Sequence, residues 1–152
     1  MKRIAIIVNA FGGSTTSLAE AFLNQGYKVD FYHLIPRKKS ASFETFDLSL
    51  RGGLFSIVPV RSFDYDGLRR FIPFARNKYF SMYQISVVEL SSMGIRCFIN
   101  PILVLYYVKL ARRIVKQKYD FVNVIGQNKS TAFLSVILRS KGVNVVHSVH
   151  EV

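Results

Sequence analysis

The chain opens on an apolar run, Arg3–Asn9, with strand character. Ala10-Phe-Gly12-Gly13-Ser14 breaks it. Leu18, Ala21 and Phe22 then recur at helical spacing and predict a helix over Thr15–Gln25, capped by Ser14 and stopped by Gly26. A second strand, Lys28–Leu34, alternates Val29, Phe31 and His33 against Asp30 and Tyr32. The polar stretch Pro36–Gly53 has no period and predicts a mobile loop. Phe55–Val60 predicts a third, short strand. Asp64 suits the cap of a helix carrying Leu68, Phe71 and Ile72 on one face, ended by Pro73. A further helix is predicted over Tyr79–Met93, before Gly94. Asn100-Pro101 pairs a capping residue with proline at the first helical position, so a helix should run to about Gln117. Asp120–Ile125 reads as a buried strand, Ser130–Arg139 as a helix stopped by Gly142, and Val143–Val149 as the last strand. The order β-α-β-β-α-α-β-α-β predicts an α/β fold. It should be a Rossmann-like three-layer α/β/α sandwich with a mostly parallel sheet, in a single domain over residues 1–152.

Charge changes this picture more than composition does. The formal net charge is +12 in 152 residues. Residues 61–118 hold eleven basic and three acidic side chains, so +8 of the charge sits in the middle third. Such a field attracts polyanions, whether nucleic acid, anionic headgroups or phosphorylated substrates. Half the residues are hydrophobic, which predicts a packed core rather than disorder. The apolar stretch Pro101–Val108 is far shorter than the roughly 20 residues a membrane span needs. Met1-Lys2-Arg3 is not followed by a signal-peptide core, so a cytoplasmic protein is expected. The single cysteine, Cys97, excludes an internal disulfide; with Ile95 and Phe98 beside it, it reads as a buried thiol. No metal-ligand spacing and no P-loop motif occurs, and no cofactor is expected.

The helix from Asn100 has two unlike faces. Leu103, Tyr107, Leu110, Ala111 and Ile114 form the stripe predicted to face the core. Lys109, Arg112, Arg113 and Lys116 form a basic stripe, and Ile102, Leu105 and Tyr106 precede it on the same side. That mix suits a membrane-surface or partner contact, and the charges alone suit a solvated face at a helix C-terminus. Residues 61–83 interleave aromatics such as Phe63, Tyr65 and Phe74 with Arg61, Arg69, Arg70 and Arg76. Aromatics beside arginines fit a headgroup interface or base stacking, and equally core packing with snorkelling arginines.

Three segments together carry a family resemblance. Ile6-Ile-Val-Asn-Ala-Phe-Gly-Gly13 with Gln25-Gly-Tyr-Lys-Val29, Lys118-Tyr-Asp-Phe-Val-Asn-Val-Ile125, and Leu138-Arg-Ser-Lys-Gly-Val-Asn-Val-Val-His-Ser-Val-His150 occur in this order. They resemble the N-terminal half of a nucleotide-sugar glycosyltransferase of the GT-B architecture, in particular glycosyltransferase family 4. The resemblance implies an acceptor-binding domain that works with a donor-binding C-terminal domain, transferring a sugar with retention of configuration. Its setting would be cell-surface polysaccharide or glycolipid synthesis, peripheral at the cytoplasmic face of the membrane. The family's Glu-x7-Glu donor motif is absent: no two of Glu20, Glu44, Glu89 and Glu151 are eight apart. The chain alone is therefore expected to be inactive, and its interdomain face is expected to favour self-association. The family's Gly-Gly-Ala-Glu is replaced by Gly12-Gly13-Ser14-Thr15, and Ile125 or Gly126 stands where a histidine often ends the fourth strand.

The candidate site residues follow from position and resemblance together. Gly12, Gly13 and Ser14, between first strand and first helix, suit either a crevice loop near donor phosphates or a tight turn. By resemblance His150 meets the acceptor. Asn128, between strand and helix, suits a sugar hydroxyl or a helix cap. His33 is a lesser crevice candidate, and His147 is read as structural. The partners expected are a nucleotide-sugar, a glycan or lipid-linked acceptor, the donor domain and an anionic membrane surface; no specific nucleic acid is expected. The alternative is a stand-alone Rossmann-like nucleotide- or ligand-binding module. Against its NAD form, the second strand ends in Tyr32-His33-Leu34 without an acid.

Overall fold

A computed structural model describes residues 1–9, 13–37, 58–59, 77–88, 101–126 and 129–148. The strands are β1 (Arg3–Val8), β2 (Lys28–Arg37), β3 (Val58–Pro59), β4 (Phe80–Val88), β5 (Phe121–Ile125) and β6 (Val145–Ser148). The helices are α1 (Gly13–Asn24), α2 (Pro101–Lys116) and α3 (Lys129–Ser140). The sheet runs β3-β4-β2-β1-β5-β6. Five strands are parallel, and β3 pairs antiparallel with β4 through Val58↔Gln84 and Pro59↔Tyr83.

The period of two along β1 divides the core into two layers. Ile4, Ile6 and Val8 pack with Ala19, Leu18 and Phe22 of α1. Ala5 and Ile7 face the other way, onto Tyr107, Leu110, Ala111 and Ile114 of α2 and Leu134 and Leu138 of α3. A strand covered on both faces reads as an unbroken apolar run, and β1 is one. The architecture is thus the three-layer α/β/α sandwich with a mostly parallel sheet. Among the described residues no helix is long and apolar enough to cross a membrane.

Several predicted elements shift. Residues 80–88 form a strand, not the helix predicted over Tyr79–Met93. Phe80, Met82 and Ile85 are buried on opposite faces of the sheet, and β4 pairs with β2 from Val29↔Phe80 to Arg37↔Val88. Its aromatic and β-branched residues favour a pleated surface buried from both sides. β2 is also longer than predicted. β1 flanks it only as far as Val8↔His33, and Leu34–Arg37 then pairs with β4 alone. Among the described residues that side of β2 has no neighbour at Pro36, whose missing N–H is tolerated there. α1 begins at Gly13, so Ser14 lies in the first turn rather than capping it. The predicted strand over Phe55–Val60 is described only at Val58–Pro59. The helix at Asp64, the loop to Gly53 and Cys97 lie outside the described residues.

Candidate functional site

The parallel strands follow the order β4-β2-β1-β5-β6, so the chain reverses its direction of travel across the sheet between β1 and β5. At such a point the loops leaving the strand ends diverge and leave a crevice. β1 leads into Asn9 and α1 there, and β5 leads into Gly126 and α3.

Gly126 is the centre of this end. A Cβ on it would lie 2.8 Å from Thr131 Cγ2 and 3.0 Å from both Asn9 Oδ1 and Thr131 Oγ1. Its φ is not in the left-handed region. The position is held by close approach, with the Asn9 amide and the first turn of α3 meeting over bare backbone. Its N–H donates to Ser148 O at 3.1 Å. Its carbonyl lies 3.0 Å from His147 Nε2. A carbonyl can only accept, so Nε2 carries the proton. His147 therefore ties β6 to the end of β5, the structural role expected of it. Ser148 Oγ donates to Asn123 Oδ1 at 3.2 Å on the opposite face. Ser130 and Thr131 are buried in the opening turn of α3.

On the other side of β1, His33 pairs in register with Val8. Burial lowers its pKa from the usual 6.5, so the imidazole is held neutral. Gly13 and Ser14 open α1, whose first N–H groups face the crevice end of the sheet, and Thr15 is buried behind them. Two helix N-termini, the Asn9 carboxamide and His33 thus flank the crevice. Amide hydrogens and partial positive charge suit a phosphate or a sugar hydroxyl.

The predicted site residues divide into three groups. Gly13 and Ser14 stand at the crevice. Gly12, Asn128 and His150 lie outside the described residues. The α2 residues form the third group. Arg112, Arg113 and Lys116 are exposed, Lys109 is half-buried and Leu105 is 47% exposed, opposite the buried Tyr107, Leu110 and Ile114. Ile102 and Tyr106 belong to the same helix.

Sequence reasoning missed a buried polar network at the opposite end of the strands. Asp30 is 3% exposed although it alternates with apolar residues. Tyr119 OH donates to Asp30 Oδ2 at 2.6 Å, which spends its one proton. The 2.5 Å contact between the hydroxyls of Tyr32 and Tyr119 is therefore a donation from Tyr32. Arg3 Nη2 lies 3.3 Å from the same Asp30 oxygen, and Arg3 Nη1 donates to Gln117 O at 3.0 Å. Burial is the main reason both tyrosines resist ionisation: the Tyr32 pKa is pushed up to about 12 and that of Tyr119 is raised further. Arg3, Asp30 and Tyr119 are far apart in sequence, and nothing in the local pattern joins them.

No family model matches the sequence, and no curated protein matches it. Solved structures of the C-terminal domain of a hydrogenase from Pyrococcus furiosus are similar over 97% of this chain and 90% of theirs. For the structure of residues 78–226 the identity is 13% and the TM-score 0.49. For that of residues 83–215 they are 11% and 0.49. A likeness of that size bears on neither ligand nor chemistry.

Proposed function

We propose that the chain is the acceptor-side domain of a GT-B glycosyltransferase of family 4 type, acting in cell-surface polysaccharide or glycolipid synthesis. The observation that carries the reading is the strand order, which reverses between β1 and β5. Two of the three resembling segments end at that point, in Gly13 and Ile125. The third runs through β6 to His150. In this reading Gly13 and Ser14, with Gly12, line the crevice near the donor phosphates, where the first turn of α1 favours negative charge. His150 and Asn128 meet the acceptor. The donor domain supplies the nucleotide-sugar, and no cofactor takes part. The outer strip of α2, with Ile102, Leu105 and Tyr106 followed by Lys109, Arg112, Arg113 and Lys116, contacts the membrane or the partner domain. The protein then works at the cytoplasmic face of the membrane.

The test is sugar transfer by the whole gene product, screened with UDP- and GDP-sugars against a membrane lipid extract. Transfer that disappears in His150→Ala, with the melting temperature kept, supports the reading. Absence of turnover or hydrolysis for every donor would favour a stand-alone ligand-binding module.

A further inference from the structure

The end of the sheet opposite the crevice carries a row of lysines. Backbone hydrogen bonds fix where the strands begin, side by side. Lys28 N donates to Lys2 O at 2.9 Å, Val29 N to Tyr79 O at 2.9 Å, Asp120 N to Arg3 O at 2.8 Å and Val122 N to Asn144 O at 2.9 Å. Five parallel strands therefore start close to one plane, spanning about 20 Å at the usual strand spacing. Lys2, Lys28, Lys78, Lys118 and Lys141 stand at or just before the starts of β1, β2, β4, β5 and β6, and Lys116 closes α2 beside them. All but the half-buried Lys28 are exposed. Asp120 is the exposed acid in this row among the described residues, and Asp30 is buried against Arg3 and Tyr119.

The lysines exceed what the fold needs. Three helices end here, and each C-terminus presents about half a negative charge. Those ends and Asp120 offset less than half of six lysines. Arg3 is turned inward and Arg139 reaches back to Val145 O at 3.4 Å, so the outward charges are mainly flexible ammonium groups rather than rigid guanidinium forks. Such groups suit a diffuse plane of negative charge better than base edges or bidentate phosphate contacts. Tyr27 and Tyr79 stand among them, with Lys2 Nζ 5.9 Å and Lys78 Nζ 4.9 Å from their ring centres. Tyrosine beside lysine is the side-chain mixture found at headgroup level.

We infer that this base is the seat of the protein on an anionic lipid surface. The chain stands on the starts of its strands, and the crevice at their far ends, about 20 Å away along β1, opens away from the bilayer. An acceptor reaching it is the outer end of a glycan rather than a sugar next to the lipid. The seat itself does not depend on the transferase reading; the acceptor's direction does.

The test is flotation with vesicles of phosphatidylglycerol in phosphatidylcholine, compared with phosphatidylcholine alone. Each lysine near such a surface contributes roughly a fivefold factor. Lys2→Gln/Lys28→Gln/Lys78→Gln/Lys141→Gln should therefore lower partitioning by on the order of a hundredfold or more, with the melting temperature held. Arg112→Gln/Arg113→Gln, on the flank of α2, should lower it far less, which leaves that strip of α2 to the partner domain and not to the lipid. Binding of the unaltered chain should weaken steeply from low to physiological salt. The inference is overturned if the lysine variant floats like the unaltered chain, if phosphatidylcholine vesicles hold the chain equally, or if duplex DNA at matched charge strips it from the vesicles. Vesicle binding through the base without sugar transfer in any assay would uphold the seat and sink the transferase reading. Transfer without vesicle binding would do the reverse.

Discussion

Substituting Gly126 by alanine probes the junction that forms the crevice. The added Cβ would fall 2.8 Å from Thr131 Cγ2 and 3.0 Å from Thr131 Oγ1 and Asn9 Oδ1. All three lie well inside van der Waals contact, and Thr131 is itself fully buried. The backbone of Gly126 is not left-handed, so no conformational strain is added and the cost is purely steric. Overpacking of this kind costs about 1–3 kcal/mol. In a domain of this size that lowers the melting temperature by about 3–10 °C. Thr131→Ala removes two of the three clashing atoms. In a double-mutant cycle it should return about half or more of the loss, a favourable coupling of roughly 1 kcal/mol. Thermal unfolding of the four proteins by circular dichroism measures it. A neutral Gly126→Ala, or additive costs in the double variant, would show that Asn9 and Thr131 do not close over this glycine.

Other positions test different terms. Gly142 has open space around it but a φ of +81°, so Gly142→Ala should cost about 1–2 kcal/mol, with Gly142→Asn recovering part of it. Lys118 is a non-glycine residue at φ 55°, and Lys118→Gly should be neutral or stabilising in the same melts. Tyr119→Phe removes the proton that Asp30 Oδ2 accepts at 2.6 Å and should cost about 1–3 kcal/mol in denaturant unfolding. The same network sets an alkaline limit. Tyr32 has a folded pKa of about 12 against 10.0 unfolded, so its contribution is whole below pH 10 and is lost as pH rises towards 12. Tyr119, raised further, adds in the same direction, and stability measured from pH 9 to 12 should fall less steeply in Tyr32→Phe.

Elements whose pattern is local were legible in the sequence. β1, α2, β5 and α3 follow from an apolar run, a proline start, a second apolar run and a glycine stop, and their predicted bounds hold within a residue or so. β4 was misread because burial reaches both of its faces, with Phe80 and Met82 on one and Ile85 on the other. Burial of both sets erases the alternation that marks a half-exposed strand. The buried state of Asp30 was hidden for a similar reason: an acid between valine and phenylalanine reads as the wet side of a strand. Only the fold brings Tyr119 and Arg3 onto it. At the crevice, Gly13 and Ser14 were visible because a glycine turn between strand and helix has a local meaning. Gly126 and Thr131 were less so, since their importance lies in a contact with Asn9, more than a hundred residues earlier. The lysines of the base escaped notice because they are scattered singly, one before each parallel strand, and only the sheet gathers them.

The central claim is that the chain's ligand enters at the ends of β1 and β5. Amide chemical shifts of the isotope-labelled chain, titrated with a panel of UDP-sugars, GDP-sugars and short glycans, test it most directly. The account predicts shifts concentrated at Gly13–Thr15, Gly126, Ser130 and Thr131 for at least one of these ligands, with the lysine row unmoved. Shifts confined to the base or to the outer face of α2, with these amides silent, would contradict it.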